Sequence, residues 1–199
     1  MKKGFLVAMV LFSLCARMAF AETASPAPVG LTWHTSAVDL VRKYSAERLR
    51  VNKKDSTTLY YIKRAPKKLN DFDSIYGVVH NQHGLVKIIL SKDFIRDAYG
   101  DEGIKNYLKY KTILSEKYGK AESYEYTGKM TYAGKDEFYQ CLAYQGCGGY
   151  ASFYHGVSIE LVGYSRGYGT LKITYVADSM DNIVSEQQQV NDEQAKHAL

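Results

Sequence analysis

Apolar residues first recur with a helical period after Ser36. Ser36 is placed to cap a helix, with Asp39 reaching back from the third helical position in a capping box. Ala37, Leu40, Val41 and Tyr44 then form one stripe, leaving Asp39, Arg42 and Lys43 for water. After a polar turn over 52–58 the period drops toward two. Leu59 to Ile62 reads as a short strand. Phe72 to His80 and Leu85 to Leu90 read as two strands joined by Asn81-Gln82-His83-Gly84, a hairpin turn. Val86, Ile88 and Leu90 share one side and Lys87 takes the other, as in a strand with one buried face. Residues 93–103 read as a connection with a helical turn.

Ile104, Tyr107, Leu108, Leu114 and Tyr118 mark a second helix over 104–118, with Gly119 at its C-terminal cap. Strand patterns follow at 123–131, 137–144, 150–154, 157–163 and 169–176. The last two form a hairpin across Tyr164-Ser165-Arg166-Gly167-Tyr168, with Ile159, Leu161, Leu171, Ile173 and Tyr175 inward and Glu160, Lys172 and Thr174 outward. Beyond Ala177 the chain is polar, with Gln187-Gln188-Gln189, and reads as a frayed helix or disordered tail.

The order helix, strands, helix, strands predicts an α+β fold: two helices packed against antiparallel β meanders. Leu40-Val41-Arg42-Lys43-Tyr44 and Leu114-Ser115-Glu116-Lys117-Tyr118 lie 74 positions apart and share Leu, Lys and Tyr. The echo points to a tandem helix–sheet repeat. The domain plan is a signal peptide over 1–21, a flexible leader over 22–30, one α+β domain over 31–177 with halves 31–98 and 99–177, and a polar tail over 178–199.

The signal reading rests on Lys2 and Lys3, the apolar run Phe5 to Cys15, and the small-x-small pattern Ala19-Phe20-Ala21. The run is about eleven residues, too short to span a hydrocarbon core of about 30 Å as a helix. The mature chain is expected to have no transmembrane segment and to be exported, periplasmic in a host with two membranes. Cleavage also changes the charge. Removing Lys2, Lys3 and Arg17 from 26 basic residues leaves 23 against 21 acids, so the formal +5 falls to +2. That argues against a nucleic-acid partner, which needs a concentrated basic face.

Of three cysteines, Cys15 leaves with the signal. Cys141 and Cys147 remain, six positions apart in an exported chain, and are predicted to form a disulfide. The competing reading is a thiolate nucleophile paired with His155, a Cys-dependent hydrolase. Other chemistry is sparse. His80 and His83, with Asp71 and Asp73 upstream, read as solvent-exposed turn residues rather than metal ligands. Asp136-Glu137 are neighbours on an expected strand and point to opposite faces. The glycines at 146–149 follow no phosphate-loop pattern. The sequence marks no catalytic residue, metal site or cofactor.

Tyrosine is the unusual residue: 18, against one Trp and 7 Phe. Its ring buries large area and its tip stays polar, which favours binding surfaces, although tyrosine is also a good strand residue. Glycine-flanked Tyr150, Tyr154, Tyr164 and Tyr168, with Arg166 at the hairpin tip, are the candidate binding residues.

The opening Gly30-Leu31-Thr32-Trp33 before the first helix, and the hairpin ending Asn81-Gln82-His83-Gly84-Leu85-Val86, resemble the exported domains of the outer-membrane-assembly lipoprotein and β-lactamase-inhibitor-protein group. The resemblance covers 30–90, and the second half only through the echo. It implies helices against a short antiparallel sheet, sometimes in tandem, and action by binding other proteins. This chain lacks the lipid-anchoring cysteine and has Trp33-His34-Thr35 where small and Met residues are usual, so no functional residue carries over. The expected function is that of a non-enzymatic exported protein that recognises another envelope or secreted protein through a Tyr/Gly-rich surface. The alternative is a glycan or cell-wall binding module.

Overall fold

A computed structural model describes residues 26–127 and 135–198. The expected signal peptide, the first residues of the expected leader and the end of the strand expected over 123–131 lie outside the described residues. Ser36 accepts the Asp39 N–H at 3.1 Å and starts α1 (Ala37–Tyr44). Four strands follow: β1 (Glu47–Asn52), β2 (Thr57–Tyr61), β3 (Ser74–His80) and β4 (Gly84–Ile95). Then come α2 (Asp101–Tyr118), β5 (Glu122–Thr127), α3 (Phe138–Ala143), β6 (Gly148–Tyr154), β7 (Val157–Ser165), β8 (Tyr168–Val176) and α4 (Ser179–Ala198). The strands make one antiparallel sheet in the order β1-β2-β3-β4-β8-β7-β6-β5. The first half supplies α1 and four strands, the second supplies α2, α3 and four strands, and the two meet where β4 pairs with β8, so the helix–sheet repeat expected from the echo is not reproduced in full. None of the described helices is long and apolar enough to cross a membrane.

One side of the sheet carries the core. Leu40 of α1, Tyr107, Tyr110 and Leu114 of α2, and Phe138 and Tyr139 of α3 pack with Leu85, Ile88, Leu90, Ile159, Leu161, Leu171 and Ile173 in one buried cluster. The strand residues in it alternate, so every second side chain faces the helices. The leader ends in a short 3-10 turn, Pro28–Gly30, where the Val29 carbonyl accepts the Lys67 N–H at 2.9 Å.

The α+β class stands, but the count of two helices does not. Residues 137–144, read as a strand, form a 3-10 turn and α3. The cause is not local. Tyr139 of α3 is fully buried beneath β7 and β8, where Gly163 and Gly169 leave room: a Cβ at Gly163 would overlap the Tyr139 carbonyl, and one at Gly169 its ring. A Cβ at Gly103 of α2 would meet the phenol oxygen. That phenol donates to Asp97 Oδ2 at 2.8 Å, and Asp97 accepts the N–H groups of Glu102 (3.3 Å) and Gly103 (2.9 Å). Asp97 therefore satisfies the first turn of α2 and fastens α3 to it. The polar tail takes the helical one of its two readings. It forms α4, which buries Ile183. β1 is an added edge strand, and the 93–103 connection shortens to 96–100, its ends joining β4 and α2.

Tyr107 makes the second tie between α2 and the sheet. Its hydroxyl lies 2.5 Å from the Ser152 oxygen of β6 and donates to Glu125 of β5 at 2.9 Å, while Lys111 pairs with Glu125. Burial pushes the Glu125 carboxyl up, but the Lys111 and Tyr107 contacts outweigh it and hold the carboxyl below its usual range. The Cys141 and Cys147 sulfurs stand 2.10 Å apart, bonding distance, and join the end of α3 to the start of β6. Closing so short a loop stabilises by about 2–3 kcal/mol on the chain-entropy model.

Two outcomes follow. Tyr139→Phe keeps the ring and removes only the bond to Asp97, so chemical denaturation should show a loss of about 1–2 kcal/mol. Burial pushes the phenols of Tyr139, Tyr107, Tyr110 and Tyr175 upward, reinforced at Tyr139 by Asp97 and at Tyr110 by Asp71. Unfolded tyrosine ionises near pH 10. Above that pH the unfolded chain sheds protons that the folded chain keeps, so stability is full below about pH 10 and falls as pH rises. Ultraviolet absorbance titration of tyrosinate should show these phenols ionising only in step with unfolding.

Candidate binding surface

The strand residues that point away from the core form a second, broad face. Its rows follow from the register. One runs Glu47, Tyr61, Tyr76, Ile89, Thr174, Ser158, Phe153, Glu122 across all eight strands. The next runs Ser74, Ser91, Lys172, Glu160, Ala151, Tyr124. Tyr126 and Val162 lie beyond it, opposite Gly149 and Thr170 respectively. Helix α4 overlies the β2–β4 part, where Ile183 is buried. The β5–β8 part is uncovered among the described residues. Tyr124 is 60 % exposed, Phe153 49 % and Tyr126 44 %. Tyr124 and Phe153 are diagonal neighbours on paired strands, within reach of one another's rings.

At one end of this face the β7–β8 hairpin closes on Arg166-Gly167, where Gly167 takes a positive φ of 68° that a side chain would strain. Tyr164 and Tyr168 emerge beside each other, ring centroids 5.1 Å apart, 47 % and 38 % exposed. Lys172 reaches over the Tyr164 ring at 5.9 Å. Arg166 turns the other way and pairs with Asp136, just before α3. This ion pair ties the tip to the core side.

Of the residues singled out from sequence, Tyr164, Arg166 and Tyr168 therefore sit together at an exposed tip. Tyr150 and Tyr154 do not join them. Both have the parity of the core face. The Tyr150 ring meets Tyr107 edge-on at 5.5 Å and Phe138 at 5.7 Å. The Tyr154 hydroxyl donates to the Lys111 carbonyl at 2.9 Å and lies 3.0 Å from the Ser115 oxygen, pinning α2. Tyr99 and Tyr144, also exposed, lie outside the strands of this face. Tyr124, Tyr126 and Phe153 are the rings of this face that sequence reasoning did not single out. Their signal was present in the alternation of 122–127, but not which parity faced outward.

The remaining candidates resolve into structural roles. His80 is buried rather than solvent-exposed: its Nδ1 accepts the N–H groups of Gln82 (3.3 Å) and His83 (3.4 Å), holding the β3–β4 turn. Burial, then the charge of His83, hold its imidazole below the ordinary range. Asp71 accepts from Lys109 and Tyr110, and Asp73 from the Asp93 N–H. Among the described residues no group of three or more His, Cys, Asp or Glu side chains is placed to hold a metal ion. Cys141 and Cys147 are bonded and buried.

Truncating the surface rings should cost little and truncating the inward ones much. Tyr124→Ser or Phe153→Ser should shift unfolding free energy by less than about 1 kcal/mol, a propensity effect at exposed strand positions. Tyr150→Ser should cost about 3 kcal/mol through lost ring packing. Urea denaturation of the three variants checks the division.

Comparison of the chain with protein-family models, curated proteins and solved structures finds no match.

Proposed function

We propose that this chain is an exported, non-enzymatic binding protein that takes another envelope or secreted protein onto the uncovered β5–β8 face and its Tyr164/Tyr168 tip. The observation that carries this reading is the set of exposed rings Tyr124, Tyr126, Phe153, Tyr164 and Tyr168 on one side of a sheet whose other side bears the core helices. Aromatic side chains on strands lose little rotamer entropy on contact, and phenol tips remain available to a partner's polar groups. Glu122, Glu160 and Lys172 lie between the rings and supply charge for orientation. Backbone pairing across eight strands holds the platform in shape, so ordering costs are small on binding.

Helices against an antiparallel sheet suit the resemblance to exported protein-binding domains. The disulfide-distance cysteines suit an oxidising compartment. A glycan or cell-wall ligand is the second reading, favoured by the Tyr164–Tyr168 pair, whose neighbouring rings, tilted 34° to one another, offer apolar surface to the C–H face of a sugar.

The two separate by affinity capture. The tagged chain from Glu22 onward, incubated with the envelope extract of its own host, should retain a defined protein. Tyr124→Ser/Phe153→Ser and Tyr164→Ala/Tyr168→Ala should each lower that retention at least tenfold while remaining folded. Retention on purified peptidoglycan with no protein captured would overturn the leading reading in favour of the second.

A further inference from the structure

Where α4 crosses the sheet it does not seal against it. Between them runs a groove of about 460 Å³, within the range of small-molecule sites. Val78 of β3 supplies apolar surface on the sheet side, and Met180, Ile183 and Val184 supply it from α4. Gln187 and Gln188, one turn on, give the groove amide groups. Val78 and Lys87 are directly paired across β3 and β4, so the lysine rises from the same face as the apolar lining. Lys87 is half-buried and lines the groove, yet among the described residues its ammonium has no hydrogen bond or ion pair. Asp55, the carboxylate that also reaches this groove, is engaged by the Asn52 amide at 2.6 Å.

An unpaired ammonium beside a methyl-lined slot asks for two things from one ligand: a negative head and an aliphatic body. We infer that the α4–sheet groove binds a free, single-chain aliphatic carboxylate, its chain between Val78 and the Met180/Ile183/Val184 surface and its carboxylate on Lys87. This site is separate from the exposed aromatic face, and either can fail without the other. The α4 helix is then one wall of a binding site, which gives its contact stripe a role beyond covering the sheet.

Isothermal titration of the whole mature chain with hexanoate, octanoate and decanoate, each below its micelle concentration, tests the assignment. One-site saturable binding is expected, tightening about fourfold per buried methylene. Decanoate should bind about tenfold more tightly than decanol, and Lys87→Gln should level the two by weakening only the carboxylate. Val184→Glu, at a position already more than half exposed and so tolerant in the fold, should abolish binding of both. No saturable binding, equal affinity of decanoate and decanol for the unaltered chain, or an unchanged preference in Lys87→Gln would each overturn the proposal. Co-sedimentation with phosphatidylglycerol vesicles without decanoate binding would assign the groove to a membrane surface and overturn it as well.

Discussion

The Tyr139 phenol is the contact on which the architecture of the second half depends. A fully buried hydroxyl must find a partner, and Asp97 is the one it finds. Asp97 is simultaneously the acceptor for the first turn of α2, so one carboxylate sets where α2 begins and where α3 lies. The ring reaches that carboxylate only because Gly163 and Gly169 let the α3 backbone descend onto β7 and β8, and Gly103 lets α2 approach from the other side. Four segments distant in sequence thus meet around one side chain. A side chain at Gly163 or Gly169 would lift α3 away from the sheet and break the bond of the phenol to Asp97, which would keep only its contacts to the first turn of α2.

The functional geometry follows from this docking. With α2 and α3 drawn to one side, the inward positions of β5 and β6 are consumed: Ser123, Glu125, Tyr150, Ser152 and Tyr154 all make contacts to α2, α3 or one another. The outward rings of the same strands, Tyr124, Tyr126 and Phe153, stay about half exposed. A rigid inner face therefore produces a rigid, unsatisfied outer one. Exposed rings on a fixed platform are costly to keep in water, and their concentration on one side is what a recognition surface requires.

Legibility in the sequence tracked how local the causes were. The cores of three strands, 85–90, 157–163 and 169–176, were readable because apolar residues recur at every second position over much of their length, whereas the end of β4 passed for a connection. α1 was readable because Ser36 and Asp39 announce it. Phe138-Tyr139-Gln140-Cys141-Leu142-Ala143 carries strand-like residues, and only Gly163 and Gly169, more than twenty positions later, make it a helix. β1 was silent because Glu-Arg-Leu-Arg-Val-Asn, on an edge, exposes nearly every side chain and leaves no alternation to read. The hairpin tip was found because turn chemistry is local. Choosing Tyr150 and Tyr154 over Tyr124, Tyr126 and Phe153 was a question of parity, and a one-residue shift exchanges the two faces of a strand.

The two edges of the sheet differ in a way that bears on which part of the outer face is free. At β1 the cross-strand row ends in Glu47, paired with Lys63 at 2.8 Å, and the neighbouring Arg48 and Arg50 place like charges along the edge. Such an edge repels a second copy. At the β2–β4 end of the outer face α4 lies over Val78 and withdraws it from large partners, leaving space only for something slender. Among the described residues the β5–β8 end has neither device, and its charges, Glu122, Glu160 and Lys172, are spaced between rings rather than massed. The exposed aromatic surface thus lies on the part of the sheet whose other side is fixed by the Tyr139 and Tyr107 ties.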